Sequence, residues 1–577
     1  MHDLILSGGT LVDGSGQPKR QADVAIDGDR IAAVGRDLGP ARRTIDARGK
    51  LVMPGIVDIH THYDGQATWD ALLTPSCWHG VTTVVMGNCG VGFAPVRRGS
   101  EKFLIGLMEG VEDIPGTALA AGMRWGWESF PQYLDALDAL PHALDVGTQV
   151  AHGPVRAYVM GERGAKNEPA TPADIEKMAA IVRQAIEAGA LGFSTSRTIV
   201  HRAVDGEPVP GTFAAEDELF GIGRVLGDLG RGLFELAPAG AMGEDLAAPE
   251  KEVEWMRRLS AETRRPVSFA LSQHDVDKEQ FRRVLELCRK ANEQGSHIVP
   301  QVGSRPTMLL IGHQTFHPFS YRPTYRKLES LPLAERVAKL RDPEIRRRIL
   351  AEENEATDPR IAVVMQLIAH GLHKIFPLGD PPDYEPGPEK SVKAIAAREG
   401  RDAYEVLYDL MLEGEGRALL MLAILSYSDG DLEAMRAMLE HPDSAFGLGD
   451  GGAHCGAICD ASMTTFLLTH WARDRKRGPR LPVEWVVRKM TRDTAELYGL
   501  RDRGVVAPGK KADLNVIDWE HLQLALPELV FDLPAGARRL IQRARGYDAT
   551  LVSGQVTFLQ GEHTGALPGK LLRGPQA

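Results

Sequence analysis

Short apolar runs alternate with longer stretches of helical spacing along most of this chain, and the change of pattern falls near residue 53. Before it, β-type runs (Leu4 to Leu6, Ala22 to Ile26, Ile31 to Val34) are separated by the turn signals Gly8-Gly9 and Asp27-Gly28. An Asp-Gly between two alternating runs predicts a hairpin, so residues 1–52 read as part of a small β-unit. Beyond residue 53 the candidate strands are Ile56 to His60, Thr82 to Met86, Val146 to Ala151, Ala190 to Thr195, Leu233 to Ala237, Val267 to Leu271, Ile298 to Val302 and Ala445 to Leu448. Helix-like segments lie between most of them, such as Pro172 to Ala188, opened by Thr171 with Asp174 three residues later, and Asp277 to Gln294. Eight strands with intervening helices predict an α/β fold, a closed (β/α)8 TIM-type barrel over residues 53–485.

About 140 residues separate the seventh and eighth strands. This interval, about 307–440, carries a Pro-rich stretch (Pro377 to Pro388) and helical patterns at Leu331 to Leu350 and Val392 to Leu412. An insertion after a barrel strand lies on the active-site side and commonly forms a lid or substrate wall; support of oligomer contacts is the alternative. After a helix beyond residue 485 the sequence passes through Gly504 to Asp518, and β-type runs return near Ala549 to Phe558. Residues 1–52 and 486–577 are therefore expected to pair into one small β-sandwich-like domain beside the barrel.

Composition narrows the function classes. The net charge of −11 is spread along 577 residues, which argues against a nucleic-acid partner. Neither a signal-like start nor a run of ~18 apolar residues is present, so no membrane partner and a cytoplasmic location are expected. Five cysteines, an odd number in a long chain, argue against a disulfide framework. Self-association as a homo-oligomer stays open.

The richest stretch is Met53-Pro-Gly-Ile-Val-Asp-Ile-His-Thr-His62. Side chains alternate along a strand, so His60 and His62 would project from one face at its carboxyl end, where two imidazoles can share a metal ion. A pair of surface or capping histidines is the alternative, and the buried character of Ile56-Val-Asp-Ile59 weighs against it.

This stretch, together with Gly449-Asp450-Gly-Gly and the Pro-Gly-Lys-Lys-Ala-Asp core within Gly504 to Asp518, resembles the amidohydrolase superfamily. More narrowly, His60-Thr-His-Tyr-Asp64, Val85-Met-Gly-Asn-Cys-Gly90 and the tail Gly561 to Arg573 are similar to the D-aminoacylase branch, the N-acyl-D-amino-acid deacylases. The resemblance implies a metal-dependent amidohydrolase, with one or two Zn2+ ions or another divalent metal, acting on a small-molecule amide. It implies His60, His62, Cys89 and Asp450 as ligands and Asp450 as general base and then acid; a turn residue and a packed thiol are the alternatives for Asp450 and Cys89.

The branch also implies histidines ending the fifth and sixth strands. Here Phe234-Glu-Leu-Ala-Pro238 and Ser268-Phe-Ala-Leu-Ser-Gln-His-Asp275 stand instead, so Glu235 and His274 are candidate ligands or supporting groups. His152 in Ala151-His-Gly-Pro-Val-Arg156, Ser196 and Arg197 in Gly192-Phe-Ser-Thr-Ser-Arg-Thr198, and His454 are candidate substrate contacts, whereas His313 and His317 read as solvated loop histidines. A guanidinium can grip a carboxylate in bidentate fashion, which makes Arg197 the candidate anchor, with Arg202 or Arg305 as substitutes. The most plausible substrate is an N-acyl-D-amino acid. A cyclic amide, carbamate or xenobiotic amide, or a non-catalytic binding role, are the alternatives.

Overall fold

The computed structural model describes residues 1–355, 365 and 367–577. Eight parallel runs follow one another in chain order: β1 (Ile56–Asp58), β2 (Val81–Met86), β3 (Asp145–Thr148, resumed at Val150–Ala151), β4 (Gly192–Ser196), β5 (Leu233–Ala237), β6 (Val267–Ala270), β7 (Ile298–Val302) and β8 (Ala445–Phe446). Each pairs in parallel with the next. At β3 the ladder changes partner around Gln149, the first half bonding β2 and the second β4. Just past β1 and β8 the ring closes through two backbone hydrogen bonds, from Asp450 N to His60 O at 2.9 Å and from His62 N to Gly451 O at 2.8 Å. Because both faces of these strands are covered, nearly every residue in them is buried, polar ones such as Ser194, Glu235, Ser268 and Gln301 included.

The helices follow the sequence pattern. Pro172–Ala188 begins with the reciprocal hydrogen bonds of Thr171 and Asp174 and ends at Gly189, with Met178, Val182, Ala185 and Ile186 on its buried stripe. No helix among the described residues is long and apolar enough to cross a membrane.

Strands from both chain ends share one nine-stranded sheet. Leu51–Pro54 lies between His2–Leu11 and Leu514–Ile517, and around it pack Leu4, Leu6, Val24, Ile26, Leu514 and Leu551. Leu51–Pro54 then runs straight into β1 through Gly55, where a Cβ would meet Thr82 Oγ1 at 2.1 Å. A buried ion network joins the C-terminal part of the chain to the ring. Asp145, at the start of β3, receives Arg503 at 2.6 Å and Lys511 at 2.8 Å, and Lys511 also meets Asp513 at 2.8 Å.

The long interval after β7 differs in detail from the helical expectation; of it, residues 356–364 and 366 lie outside the described residues. It contains a three-stranded antiparallel sheet, Thr307–Ile311, Ile375–Pro377 and Leu420–Leu425, in addition to helices. The run Leu419 to Leu425 is continuously apolar, a pattern that fits strand and buried helix alike. The two long helices expected there are each divided. One breaks into Leu333–Leu340 and Pro343–Ala351, where Pro343 withholds an N–H and Asp342 caps the new start. The other breaks into Val392–Glu399 and Ala403–Met411 at Gly400, with Asp402 as cap. His313 and His317, expected in solvent, are buried beside Tyr325, their rings 5.3 Å apart at the centroids, because this interval has an apolar core of its own.

Candidate metal centre and substrate pocket

β1 delivers both histidines to one point. The rings of His60 and His62 meet edge to face with centroids 5.4 Å apart. His60 Nδ1 lies 2.9 Å from Gln301 Oε1 on β7, and Gln301 Nε2 in turn donates to Ser268 Oγ on β6 at 3.0 Å. An amide oxygen can only accept, so this contact puts the His60 proton on Nδ1 and leaves the Nε2 lone pair free. His60 Nε2 is 3.4 Å from Cys89 Sγ and 3.5 Å from Asp450 Oδ1. His62 Nε2 is 3.6 Å from the same Asp450 oxygen and 3.3 Å from Glu112 Oε2.

Cys89 and Asp450 both hold left-handed backbone, at φ 55 and φ 43, the cost of turning sharply just after β2 and β8. Around Cys89 the backbone is fixed by two buried groups: its N–H donates to Glu235 Oε2 at 3.0 Å, and the Gly90 N–H to Ser194 Oγ at 3.1 Å. Gly90 itself has φ +71, and a Cβ there would lie 2.7 Å from Ser196 N.

The charges are unbalanced. Recorded ion-pair partners of Asp450, Glu112 and Glu235 among the described residues are all histidines. Glu112 Oε1 and Glu235 Oε1 are buried with no hydrogen-bond partner. Burial and then the charges of Asp450, Asp64 and Glu235 push the Glu112 carboxyl well up, while burial takes Glu235 up to about 7. Burial, followed by Glu235, Glu112 and Asp450, also pushes up the Cys89 thiol. His62 is driven down to about 4 by burial and therefore stays neutral, the form that binds metal. Burial raises Asp450 too, but the His62 hydrogen bond and the nearby imidazoles of His60, His454 and His62 outweigh it and hold the carboxyl below its usual range.

These residues fit a divalent cation. Two donors each about 2.0–2.1 Å from one ion at a tetrahedral angle stand about 3.3 Å apart, which matches the spacings here. The ligand atoms of His60, His62 and Cys89 all lie within 4.8 Å of one another. Crowded, unneutralised carboxylates are also what a cation relieves.

A cavity of about 150 Å³ opens over the cluster, with His201, Met242, Arg305, Ser426 and Asp460 in its walls. Several expected contacts lie elsewhere. Arg197 points its Nε at Glu252, at 2.9 and 3.0 Å, and an Nη at Ala214 O, so it has no part in the cavity lining. His152 is fully buried between Thr195 Oγ1 and Glu218, and its charge partner and that of Arg156 are the same Glu218. Arg202 bonds Gly206 O, and His274 bonds Gln280 at 2.7 Å, which takes it away from the cluster. Ser196 reaches the cavity only indirectly, through His201 Nδ1 at 3.0 Å. His454 does line the cavity, its Nε2 4.0 Å from Asp450 Oδ2. Arg305 is the cation in the wall. Its two Nη atoms bond Ser462, Gln542, Asp460 and Cys459 O, and its Nε is buried without a partner.

Three residues of the cluster were not singled out by the sequence reading. Gln301 leaves a trace, a lone amide inside the apolar strand Ile298-Val-Pro-Gln-Val302. Glu112 and His201 leave none, since the one ends a helix and the other lies on a loop, and what each comes to face depends on the rest of the fold.

The amidohydrolase family model matches residues 43–558. A D-aminoacylase from Alcaligenes xylosoxydans xylosoxydans is 28% identical over 585 residues, covering 99% of this chain and 97% of that one. An N-acyl-D-aspartate deacylase from the same organism is 27% identical, covering 99% and 95%. A solved structure of D-aminoacylase, studied for its binuclear metal center, superposes with a TM-score of 0.65 at 26% identity, covering 99% of this chain and 100% of that one.

Proposed function

Because the chain belongs to the amidohydrolase family, we propose that it cleaves the amide C–N bond of N-acyl-D-amino acids at a divalent metal centre, zinc being the first choice. The observation that carries this reading is the convergence of His60 Nε2, His62 Nε2, Cys89 Sγ and Asp450 Oδ1 at ion-sharing spacings. The names of the full-length relatives support the substrate class. In the same reading, the ring of eight strands is a (β/α)8 barrel of residues 53–485 with an inserted wall at 307–440, and residues 1–52 and 486–577 form the companion domain.

His60, His62, Cys89 and Asp450 would hold the cation, which supplies Lewis acidity for the amide carbonyl and a strong nucleophile from water near neutral pH. Asp450 does the proton work. Its carboxylate is ionised, is fixed by the ring-closing bond from its own N–H, and presents Oδ2 toward the cavity beside His454. It takes the proton of the attacking water and returns it to the leaving amine. Gln301 keeps His60 in the tautomer that offers Nε2. Arg305, the cation in the cavity wall, is the group that would receive the substrate carboxylate.

A second reading has a specific observation behind it. Arg305 is already paired with Asp460 at 3.2 Å and Arg197 with Glu252, which favours an uncharged cyclic amide, carbamate or xenobiotic amide. Matched D- and L-acyl amino acids assayed against uncharged amides separate the two. The first reading expects D-selectivity that is lost in Arg305→Leu; indifference to chirality and to that substitution would favour the second. Turnover that survives exhaustive chelation, or a protein purified without any bound metal, would overturn both.

A further inference from the structure

We propose that Glu112 is a ligand of this centre and completes, with His62 and Asp450, a cation position on the side facing the helix that follows β2. The inference rests on the metal-centre reading above. Glu112 is the last residue of helix Glu101–Glu112, which stops where Asp113 turns left-handed at φ 51. A carboxylate at a helix C-terminus faces the negative end of the helix dipole, and this one is also 2% exposed. Both circumstances disfavour the charge, so its position calls for a compensating partner.

The surroundings provide half of one. Glu112 Oε2 is 3.3 Å from His62 Nε2, slightly closer than the 3.4 Å between His60 and Cys89 and the 3.5 and 3.6 Å between the histidines and Asp450. Oε1 is buried with nothing to bond. His454 Nε2 lies 3.9 Å from Oε2, and among the described residues the ion partners of this carboxylate are histidines. A neutral Glu112 merely hydrogen-bonded to His62 would leave Oε1 orphaned at a cost; a second ligand contact would not.

The backbone fixes Glu112 in register with Asp450. His454 N donates to Glu112 O at 2.5 Å, Cys455 N to Asp113 O at 3.1 Å and Gly456 N to Asp113 Oδ2 at 2.9 Å. The segment bearing Glu112 is thus clamped to the turn bearing Asp450. Glu235, whose Oε1 is likewise buried without a hydrogen-bond partner among the described residues, is placed differently. Its Oε1 approaches His60 at Nδ1, 3.9 Å away, the nitrogen already committed to Gln301. The donors therefore form an arc, Cys89, His60, Asp450, His62 and Glu112, with Asp450 Oδ1 between the two histidines. His62 and Asp450 stand at the junction, and Glu112 makes the far end of that arc a site.

Apoprotein prepared by chelation tests this by calorimetric Zn2+ titration and by the absorption spectrum of bound Co2+. Glu112→Gln keeps the shape and removes the donor charge. It is expected to weaken at least one Zn2+ equivalent by about ten-fold or more and to alter the Co2+ bands. Glu109→Gln, an exposed acid on the same helix, should change neither. Thermal unfolding separates a ligand from a structural group: the apo variant should be as stable as the apo wild type, with a smaller stabilisation by Zn2+. Should Glu112→Gln fail to fold, Glu112→Asp, which shortens the reach, is read in the same way. Unchanged Zn2+ affinity and Co2+ spectrum in the variant overturn the assignment of Glu112 alone, whereas a wild type that binds no metal overturns the centre as well.

Discussion

At the residue scale, the clearest division of labour lies between Asp450 and Gln301. Asp450 carries a charge that its neighbours sustain, so Asp450→Asn keeps the ring-closing backbone bond and removes the base. Turnover of an N-acyl-D-amino acid should fall by about 10²- to 10⁴-fold, with the unfolding transition of the apoprotein little changed. Gln301 never touches the reacting atoms. It orients His60, and Gln301→Leu frees the ring and the tautomer, for which a loss of about 10- to 100-fold in zinc affinity is expected by calorimetric titration. Tight binding by that variant would mean that His60 is oriented by its packing instead. His60, His62, Cys89 and Asp450 were legible because each adjoins a strand end in a recognisable local pattern. Arg197 shows the limit of such reading. A guanidinium in the right segment looks like an anchor, and only the position of Glu252, 55 residues away, shows that it is spent on an ion pair.

At the scale of elements, β3 and β4 are braced from outside by a buried trio. Glu218, on helix Glu216–Leu229, bonds His152 Nε2 at 2.9 Å and Arg156 Nε at 2.8 Å. Burial raises the Glu218 pKa, but these two partners outweigh it and bring it down to about 2. A carboxyl more acidic in the folded than in the unfolded chain stabilises the fold above its unfolded pKa of 4.5 and loses that contribution as pH falls toward 2. Glu218→Gln should therefore cost about 3 kcal/mol at pH 7, read by urea unfolding, and the gap to wild type should narrow below pH 4.5. An equal gap at pH 7 and pH 3.5 would show that shape, not charge, is at stake. Elements were legible in proportion to how much of their pattern is local. The eight ring strands stand out as apolar runs between helical stretches, and Thr171 with Asp174 marks its helix start. The antiparallel sheet of Thr307–Ile311, Ile375–Pro377 and Leu420–Leu425 was not, since its partners are more than 40 residues apart and the run 419–425 fits either structure.

At the scale of the whole molecule, Asp145 is the meeting point of the ring and the C-terminal part of the chain. Arg503 and Lys511 both converge on it from the segment that leads into strand Leu514–Ile517, and all three are buried. Asp145→Asn leaves two buried cations short of a counter-charge and should cost about 3–5 kcal/mol in chemical denaturation. A loss below 1 kcal/mol would show that Asp502 and Asp513 suffice alone.

The ring, finally, is closed by the backbone of the residues that would hold the metal: Asp450 N to His60 O, and His62 N to Gly451 O. On the proposed reading, assembly of the centre and closure of the ring would thus be one event in the life of the chain. A nascent polypeptide exposes His60 and His62 early, yet it cannot join them to Asp450 until some 390 residues more have been made. A centre that includes Asp450 would therefore be complete only in chains whose ring has already closed.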